Sequence, residues 1–210
     1  MSLVDKLIED AILKTPVIIS AFKKIRRVDF LPARLAPSAD LDEPLPIGHG
    51  QTNSQPFTVA FMMEKLQPRP GDRILDVGCG SGWTSALLAE IVGKKGRVYG
   101  IEVVPELAKL AETNIKKYDF TATGRVKIFT GDGRCGLEGF APFDKISVSA
   151  ATEKIPEPLL AQLKIGGRMI LPLGRQSKVQ ALVLIEKIED GELKRTEFPG
   201  FMFVPLIKSQ

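Results

Sequence analysis

The spacing of apolar residues changes near residue 70 and divides the chain into two parts. In the first part, apolar residues recur at helical spacing over residues 3–12, behind a candidate N-cap at Ser2. A second helical stripe begins at Pro16, a residue type that suits the first turn of a helix. Residues 30–56 are rich in proline and glycine and are predicted to be irregular, and Pro56 is predicted to open a third helix.

After residue 70 the pattern alternates between short apolar runs and stretches with helical spacing. The predicted strands are 73–77, 97–101, 125–130, 143–149 and 167–173, and the predicted helices are 83–92, 105–117 and 157–163. Two more apolar runs, 179–187 and 192–198, flank a predicted hairpin turn at Glu189-Asp190-Gly191. The alternation predicts an α/β fold with a mostly parallel central sheet that ends in antiparallel strands. The expected parts of one single domain are an N-terminal helical and irregular extension (1–69), a core (70–175) and C-terminal strands (176–210).

Composition and charge narrow the function classes only modestly. The 210 residues are 44% hydrophobic and 26% charged, as in an ordinary globular protein. No apolar run approaches the roughly 18 residues of a membrane span, and no secretion signal is recognised, so a cytoplasmic protein without membrane contact is expected. The net charge of +4 is densest at residues 23–27, a predicted solvated helix face, and no nucleic-acid partner is expected. The two cysteines are predicted to be buried thiols, no metal site is expected, and a monomer is predicted.

The loop Asp76-Val77-Gly78-Cys79-Gly80-Ser81-Gly82 lies between a predicted strand and a predicted helix. Glycines let the backbone approach a ligand closely, and a helix N-terminus offers free N–H groups to it. Glu102 ends the next predicted strand and could accept hydrogen bonds from both hydroxyls of a ribose. These features predict a cofactor that contains a nucleoside, either NAD or S-adenosylmethionine.

Two residues favour the sulfonium cofactor. Trp83 stands where the dinucleotide spacing Gly-x-Gly-x-x-Gly, counted from Gly78, requires its third glycine. A register that starts at Gly80 places the small Ser85 there, so the spacing alone leaves NAD open. Asp76 precedes the glycines, and its carboxylate suits a sulfonium and an α-amino group but would repel a pyrophosphate.

The segment from Asp76 to Gly82 resembles the first motif of class I methyltransferases. The resemblance implies a Rossmann-like fold with S-adenosyl-L-methionine as cofactor and S-adenosyl-L-homocysteine as product. In that family an acid at the position of Asp132, just after the third strand, faces the adenine amino group; a plain turn residue is the alternative interpretation. The implied cofactor-binding residues are Thr52, Asp76, Gly78, Gly80, Gly82, Glu102, Val103, Asp132 and Gly133.

A second segment, Pro44–Pro56, resembles the signature of the protein-L-isoaspartate O-methyltransferases. Residues 143–146, 155–168 and 203–206 also resemble that family, so the resemblance covers nearly the whole chain. The family methylates the α-carboxylate of L-isoaspartyl residues in damaged proteins, and the ester then closes to a succinimide that reopens partly to normal aspartate. The resemblance therefore implies isoaspartyl-containing peptides and proteins as partners.

The same resemblance implies the acceptor side of the site. Ser54 matches the family's active-site serine, whose hydroxyl could orient the acceptor carboxylate; a helix cap ahead of Pro56 is the alternative role. The implied substrate residues are Gln51, Ala151, Val204, Pro205 and Leu206, the last three of which could also be an ordinary edge strand. A carboxylate is already ionised at pH 7 and needs no general base, which agrees with a chain that has one histidine.

Departures from the family signature bear on the acceptor. His49 stands where the family usually has tyrosine, Asn53 where it usually has isoleucine, and Thr152-Glu153 where Ala-Pro or Gly-Ala is common. His49 is predicted to be a packing or hydrogen-bonding loop residue rather than a base. Two alternatives stay open: a methyltransferase for another peptide carboxylate or a small molecule, and a module that binds the cofactor or damaged peptides without catalysis.

Overall fold

The computed structural model describes residues 2–175 and 178–207. The helices are α1 (Leu3–Glu9), α2 (Pro16–Lys24), α3 (Pro56–Leu66), α4 (Trp83–Val92), α5 (Pro105–Lys116) and α6 (Glu157–Gln162). The strands are β1 (Leu45–Gly48), β2 (Gln51–Asn53), β3 (Arg73–Val77), β4 (Arg97–Glu102), β5 (Val126–Thr130), β6 (Phe143–Val148), β7 (Leu163–Leu173), β8 (Gln180–Lys187) and β9 (Leu193–Phe201). Short 3₁₀ turns lie at Arg27–Phe30, Ala33–Ser38, Gly133–Cys135, Glu138–Phe140 and Glu189–Gly191. Within the described ranges no helix is long and apolar enough to cross a membrane.

Strands β3 to β9 form one seven-stranded sheet in the order β5-β4-β3-β6-β7-β8-β9. β3 pairs in parallel with both β4 and β6, and the pairs β4–β5 and β6–β7 are also parallel. The pairs β7–β8 and β8–β9 are antiparallel. The predicted mostly parallel sheet with antiparallel C-terminal strands is therefore confirmed. Strand order reverses at β3, and ligands of open α/β sheets bind outside the carboxyl ends of the strands at such a point.

Neighbouring residues of the central strand pack on opposite faces of the sheet. Ile74 packs into an apolar cluster with α1, α2 and α4, whereas Leu75 packs into a second cluster with β6, β7 and α6. Both side chains are fully buried, which explains why the strand is a continuous apolar run rather than an alternating one. A third cluster joins Met62 and Leu66 of α3 to β7 and β8. Helices thus cover both faces and leave the carboxyl ends of the strands for a site.

Helix α1 begins as predicted but ends early. The hydroxyl oxygen of Ser2 accepts a hydrogen bond from the backbone N–H of Asp5 over 3.2 Å, so the predicted N-cap is confirmed. The helix ends at Glu9 rather than near residue 12, because Ala11 adopts a left-handed φ of 55°. The apolar stripe continues past the helix because the following loop also packs into the core.

The segment 30–56 contains more regular structure than its composition predicts. β1 and β2 pair as a short antiparallel hairpin, so the prediction of an irregular segment is wrong there. Pro46 and Gly48 obscure this hairpin in the sequence, because both residue types are depleted in strands.

The boundary between α6 and β7 also differs from its prediction. α6 ends at Gln162 and β7 begins directly at Leu163, whereas the sequence predicts a strand from residue 167. Leu163 pairs with the start of β6, and regular pairing resumes at Arg168. Gly166 lies in the irregularity between them with a φ of 76°, so the glycine marks a bulge inside the strand rather than a turn before it.

Candidate functional site

The loop between β3 and α4 follows the carboxyl end of the central strand and is built on left-handed glycines. Gly78, Gly80 and Gly82 have φ values of 74°, 54° and 94°, a region that other residues rarely adopt. A Cβ at Gly82 would lie 3.1 Å from Cα of Ala111, so this glycine permits close packing of the loop on α5. The N–H of Gly78 donates to the carbonyl oxygen of Ile101 over 2.9 Å and fixes the loop to β4.

A cleft beside the glycine loop collects most of the predicted site residues. Those that line it are Gln51, Thr52, Ser54, Gly78, Gly80, Glu102, Val103, Gly133, Val204, Pro205 and Leu206. The structure does not bring Asp76, Gly82, Asp132 or Ala151 to the wall of this cleft. The glycine loop forms one wall, and β2 with the residues after it forms another. Segments that are far apart in sequence thus meet at the carboxyl end of the sheet, while their binding roles stay predictions.

Glu102 is held in the cleft by two backbone groups. Its Oε2 accepts from the N–H of Gly80 over 2.9 Å, and its Oε1 accepts from the N–H of Val104 over 3.0 Å. The side chain is 5% exposed, and the carboxylate lines the cleft. Each carboxylate oxygen can accept more than one hydrogen bond, so capacity remains for two hydroxyl donors of a ligand.

Asp76 is enclosed between β3 and α4 instead of facing the cleft. Its Oδ2 accepts from the hydroxyl of Ser85 over 2.6 Å, and its Oδ1 has no hydrogen-bond partner among the described residues. Burial raises the pKa of Asp76 to about 7, and the negative charge of Glu102 adds to the shift while the Ser85 hydrogen bond opposes it. The geometry therefore gives Asp76 a place behind the loop, and the predicted contact with a sulfonium or amino group has no direct support from it.

Asp132 and Ala151 do not line the cleft but support segments that do. Asp132 forms an ion pair with Arg134 and also accepts from the N–H of that residue over 3.0 Å, as the N-cap of the short turn after β5. Ala151 exchanges two backbone hydrogen bonds of 2.8 Å with the C-terminal segment, donating to the carbonyl of Val204 and accepting from the N–H of Leu206. Ala151 thereby holds that segment against the cleft.

Ser54 is not a helix cap, so the alternative role weighed for it is wrong. The N-cap position of α3 is Gln55, and no side chain at that position caps the helix. The cap comes instead from Asp42, in an earlier segment of the chain, whose Oδ1 accepts a hydrogen bond from the N–H of Phe57 over 2.8 Å. The Ser54 side chain is therefore not used to start the helix, and the residue lines the cleft.

Arg27 is a site-organising residue that the sequence did not reveal. The basic cluster 23–27 is predicted to be solvated, but Arg27 is only 5% exposed, and burial lowers its pKa to about 10. Its guanidinium donates to the backbone oxygens of Ala39, Leu41, Glu43, Asn53 and Ser54. It also lies 5.5 Å from the ring centroid of Trp83 at the start of α4. Arg27 thus fastens both ends of the hairpin segment to the helix that follows the glycine loop.

Asn53 continues this network to the glycine loop. Its Oδ1 accepts from Nε of Arg27 over 2.8 Å, and its Nδ2 donates to the hydroxyl of Ser81 over 3.3 Å. An isoleucine, the usual family residue at this position, could make neither hydrogen bond. The departure at Asn53 therefore connects the two walls of the cleft.

His49 lies at the exposed tip of the hairpin and does not line the cleft. Its φ of 53° is left-handed, a conformation in which histidine is tolerated better than most residues. The prediction that it is not a base agrees with this position, but the packing role predicted for it is wrong.

The two cysteines differ in exposure. Cys79 is 6% exposed and lines the cleft, and burial raises the pKa of its thiol. Cys135 is exposed, so the prediction of a buried thiol is wrong there, because the residue ends a surface 3₁₀ turn. Among the described residues no cluster of three or more histidine, cysteine or acidic side chains could hold a metal ion.

The cleft is narrow, and a wider cavity adjoins it. The cleft encloses about 50 Å³, well below the roughly 300 Å³ at which small-molecule sites begin. The hairpin covers it, since Cδ1 of Ile47 lies 3.2 Å from where a Cβ on Gly80 would stand. The second cavity, of about 940 Å³, shares Ser54 and Val204 with the cleft. A nucleoside thus needs more room than the cleft offers in this conformation.

Comparison with known proteins agrees with this arrangement. The family model of protein-L-isoaspartate(D-aspartate) O-methyltransferases (PCMT) matches residues 1–210. The chain is 45% identical over 205 residues to the protein-L-isoaspartate O-methyltransferase of Methanopyrus kandleri, covering 98% of this chain and 89% of the relative. It is 41% identical to that of Ignicoccus hospitalis, covering 99% and 97%. A solved structure from Plasmodium falciparum, assigned as a beta-aspartate methyltransferase (PCMT) and in complex with S-adenosyl-L-homocysteine, matches with a TM-score of 0.88 at 26% identity, covering 98% and 97%. The chain therefore belongs to the protein-L-isoaspartate (D-aspartate) O-methyltransferase family.

Proposed function

We propose that this chain transfers a methyl group from S-adenosyl-L-methionine to the α-carboxylate of L-isoaspartyl residues in damaged proteins. The position of Ser54 carries the proposal. This residue lines the narrow cleft, which also contains Glu102 and the glycine loop, and it lines the wider cavity as well. A side chain at the boundary of two cavities can meet a reagent from each. The activity named for the relatives supports the same assignment.

The residues of the cleft fit the cofactor. Glu102 is pre-oriented by the N–H groups of Gly80 and Val104 and retains capacity to accept from two ribose hydroxyls. Gly78 leaves room at the backbone for the amino-acid portion, since no atom beyond its chain neighbours would lie closer than 3.8 Å to a Cβ there. The cofactor, when bound, supplies a methyl group on a sulfonium that is already activated for displacement. The Plasmodium falciparum relative binds the matching product, S-adenosyl-L-homocysteine.

The protein's contribution to the transfer is mainly orientation. The hydroxyl of Ser54 can donate to one oxygen of an acceptor carboxylate and leave the other oxygen free to attack. The carbonyl of Ser54 accepts from Arg27 over 3.1 Å, which fixes the backbone that carries the hydroxyl. No general base is needed, because the acceptor is already ionised at neutral pH. The resulting ester closes spontaneously to a succinimide, which returns part of the damage to normal aspartate.

A paired-peptide assay tests the proposal. An isoaspartyl peptide and its normal aspartyl twin are incubated with labelled S-adenosyl-L-methionine, and only the isoaspartyl peptide should be methylated. Ser54→Ala should lower kcat/KM for that peptide by roughly tenfold or more, the scale of a lost orienting hydrogen bond, with cofactor affinity unchanged. Ser20→Ala, an exposed serine on α2, is the matched control and should behave as wild type. Equal labelling of both peptides, or of neither, contradicts the proposal.

The main alternative is a methyltransferase for a different peptide carboxylate or a small molecule. It predicts that Ser54→Ala leaves the isoaspartyl reaction unchanged while another acceptor is turned over. A module without catalysis predicts calorimetric binding of the cofactor with no methylated product. The monomeric state, the cytoplasmic location, the lack of a nucleic-acid partner and the division of one domain into three parts stay predictions.

A further inference from the structure

The wider cavity beyond Ser54 lies between α3 and the end of β9, and its walls are mostly aromatic. We call it the aromatic basin, and its rings are those of Phe57, Phe61, Phe198, Phe201 and Phe203. Each of these side chains is only partly buried. Four of them, all except Phe57, also pack on the apolar cluster that joins α3 to β7 and β8. The basin is thus an apolar surface that extends from the core to the solvent.

The rings form a continuous surface. Phe57 and Phe61, one helical turn apart on α3, have centroids 6.2 Å apart. Phe201 touches both, at 6.4 Å from Phe57 and 5.2 Å from Phe61. Phe198 meets Phe61 edge-on at 5.3 Å. Offset and edge-on contacts at these distances are favourable for aromatic pairs, so the rings hold one another in place.

The basin suits an uncharged apolar group. Of the described residues that line it, none carries a charge. Met202 stands at its rim with 76% of its surface exposed, beside the partly exposed rings. The ammonium of Lys65 already lies 5.1 Å and 4.9 Å from the ring centroids of Phe61 and Phe198, where it makes cation–π contacts. An apolar group placed on the remaining ring surface would gain from burial. Contiguous apolar surfaces of this kind mark binding sites rather than ordinary exposure.

A buried glutamine fixes the rim of the basin. Gln180 is 3% exposed, and its Oε1 accepts from the N–H of Phe203 over 2.8 Å. Its Nε2 donates to the carbonyl of Arg175 over 3.3 Å. The segment that follows β9 is therefore attached to β8 by a side chain with both ends bonded. A rim held in this way is formed before a ligand arrives, which lowers the cost of ordering it.

The basin begins at the acceptor side of the proposed site. It shares Thr52, Ser54, Ser149 and Val204 with the narrow cleft. The two α3 rings lie roughly 6 Å apart along the helix axis at 1.5 Å per residue. An extended peptide advances about 3.3 Å per residue. Because Ser54 itself lines the basin, a residue within about three positions of an acceptor at Ser54, roughly 10 Å along an extended peptide, can place its side chain there.

We propose that the aromatic basin binds an apolar side chain of the substrate polypeptide, carried by a residue within three positions of the isoaspartyl residue. The inference rests on the proposed function and adds a preference among isoaspartyl sites. The continuity with Ser54 favours a substrate chain over a second copy of this protein, because a copy seated there would block the acceptor.

Isoaspartyl peptides with a leucine or a serine at each of the three positions on either side test the inference. We expect kcat/KM of the wild type to be about tenfold higher with leucine at one or more of these positions. Phe61→Ala and Met202→Ser should reduce that preference at least threefold, while serine peptides react as with wild type. Met202→Ser keeps the test valid if Phe61→Ala fails to fold, because Met202 is largely exposed. Ile165→Ser is the matched control. It removes a 58% exposed apolar residue near the start of β7 that does not line the basin, and it should keep the preference.

The outcomes separate the two proposals. Methylation of all isoaspartyl peptides at equal rates overturns the binding role proposed for the basin and leaves the proposed function intact. A preference that survives both basin variants also overturns it. Absence of methylation of every isoaspartyl peptide overturns the proposed function and the basin with it. Sedimentation that shows a dimer of the wild type and a monomer of Met202→Ser assigns the basin to a second copy, which contradicts the inference.

Discussion

Arg27 lies at the end of a basic cluster, and the sequence gives no sign that its guanidinium is buried. Residues 23, 24 and 26 are exposed as predicted, but α2 ends at Lys24, so the helical phase no longer applies at Arg27. The side chain turns inward and meets the carbonyl groups of the hairpin segment. Arginine suits this place because its planar fork offers several donors in fixed directions.

Arg27→Lys should therefore be costly although it keeps the charge. A lysine ammonium cannot reach carbonyls on both sides of the hairpin, and buried carbonyls without donors destabilise the fold. We expect a loss of about 2 kcal/mol in the free energy of unfolding, measured by urea denaturation. We also expect roughly a tenfold lower kcat with the isoaspartyl peptide below the unfolding temperature, because Ser54 loses its backbone support.

Arg26→Lys is the matched control for this variant. Arg26 is adjacent and charged, and its exposed guanidinium pairs with Asp29 on the surface. This change should leave stability and turnover close to wild type. Equal effects of the two substitutions would contradict the role given to Arg27.

The β1–β2 hairpin is the element that covers the cofactor side of the cleft. Its base is fastened by Arg27, and its tip is a two-residue turn of His49 and Gly50, with φ of 53° and 70°. Left-handed φ at both positions is what a type I′ turn requires, and Asn-Gly is its preferred sequence. The sequence therefore carries a hairpin signal with histidine in place of asparagine, which a search for Asn-Gly or Asp-Gly does not find.

His49→Asn should raise the free energy of unfolding by about 0.5 kcal/mol, because asparagine tolerates the left-handed conformation better. His49→Val should lower it by about 1 kcal/mol, because a β-branched residue is strained there. Both variants should methylate the isoaspartyl peptide at nearly the wild-type kcat. Urea denaturation and the peptide assay measure the two effects. A large loss of turnover in His49→Asn with stability unchanged would give the histidine a chemical role and contradict this interpretation.

Prediction from sequence succeeds where an element is decided locally. The strand at 73–77 and the helix at 83–92 have the predicted bounds, because an apolar run and a glycine at each helix end define them. It fails where a cap or a hydrogen-bond partner comes from a distant part of the sequence. Asp42 caps α3 from another segment, and Asn53 bonds both Arg27 and Ser81. No local spacing encodes such partners. Most of the residues that line the cleft could therefore be predicted, whereas the places of Asp76, Asp132 and Ala151 and the network that holds the walls could not.

The stability of the whole chain depends on pH through Asp76. Its pKa is about 7 in the folded protein and 3.8 as an ordinary carboxyl, and burial is the main cause. Between these values the unfolded chain has released the proton and the folded chain keeps it. The folded state then binds more protons than the unfolded state, so stability falls as pH rises through this window. Below about pH 4 and above about pH 7 the Asp76 contribution to this slope vanishes.

Asp76→Asn should remove this dependence, since asparagine resembles the protonated acid and can still accept from Ser85. Between pH 5 and pH 7 the wild type should lose about 2 kcal/mol of stability relative to the variant. Urea denaturation of both proteins without cofactor, at several pH values, measures the difference. Parallel pH profiles for the two proteins would show that Asp76 is already ionised in the fold.

The two cysteines differ in how accessible their thiols are to solvent. Cys135 is exposed, while the sulfur of Cys79 points into the core beneath the glycine loop, 3.2 Å from where a Cβ on Gly100 of β4 would stand. A thiol reagent can therefore reach Cys135 at any time but reaches Cys79 only when the glycine loop separates from β4. The rate of labelling of Cys79 relative to Cys135 therefore measures how often the glycine loop opens, with no substrate present.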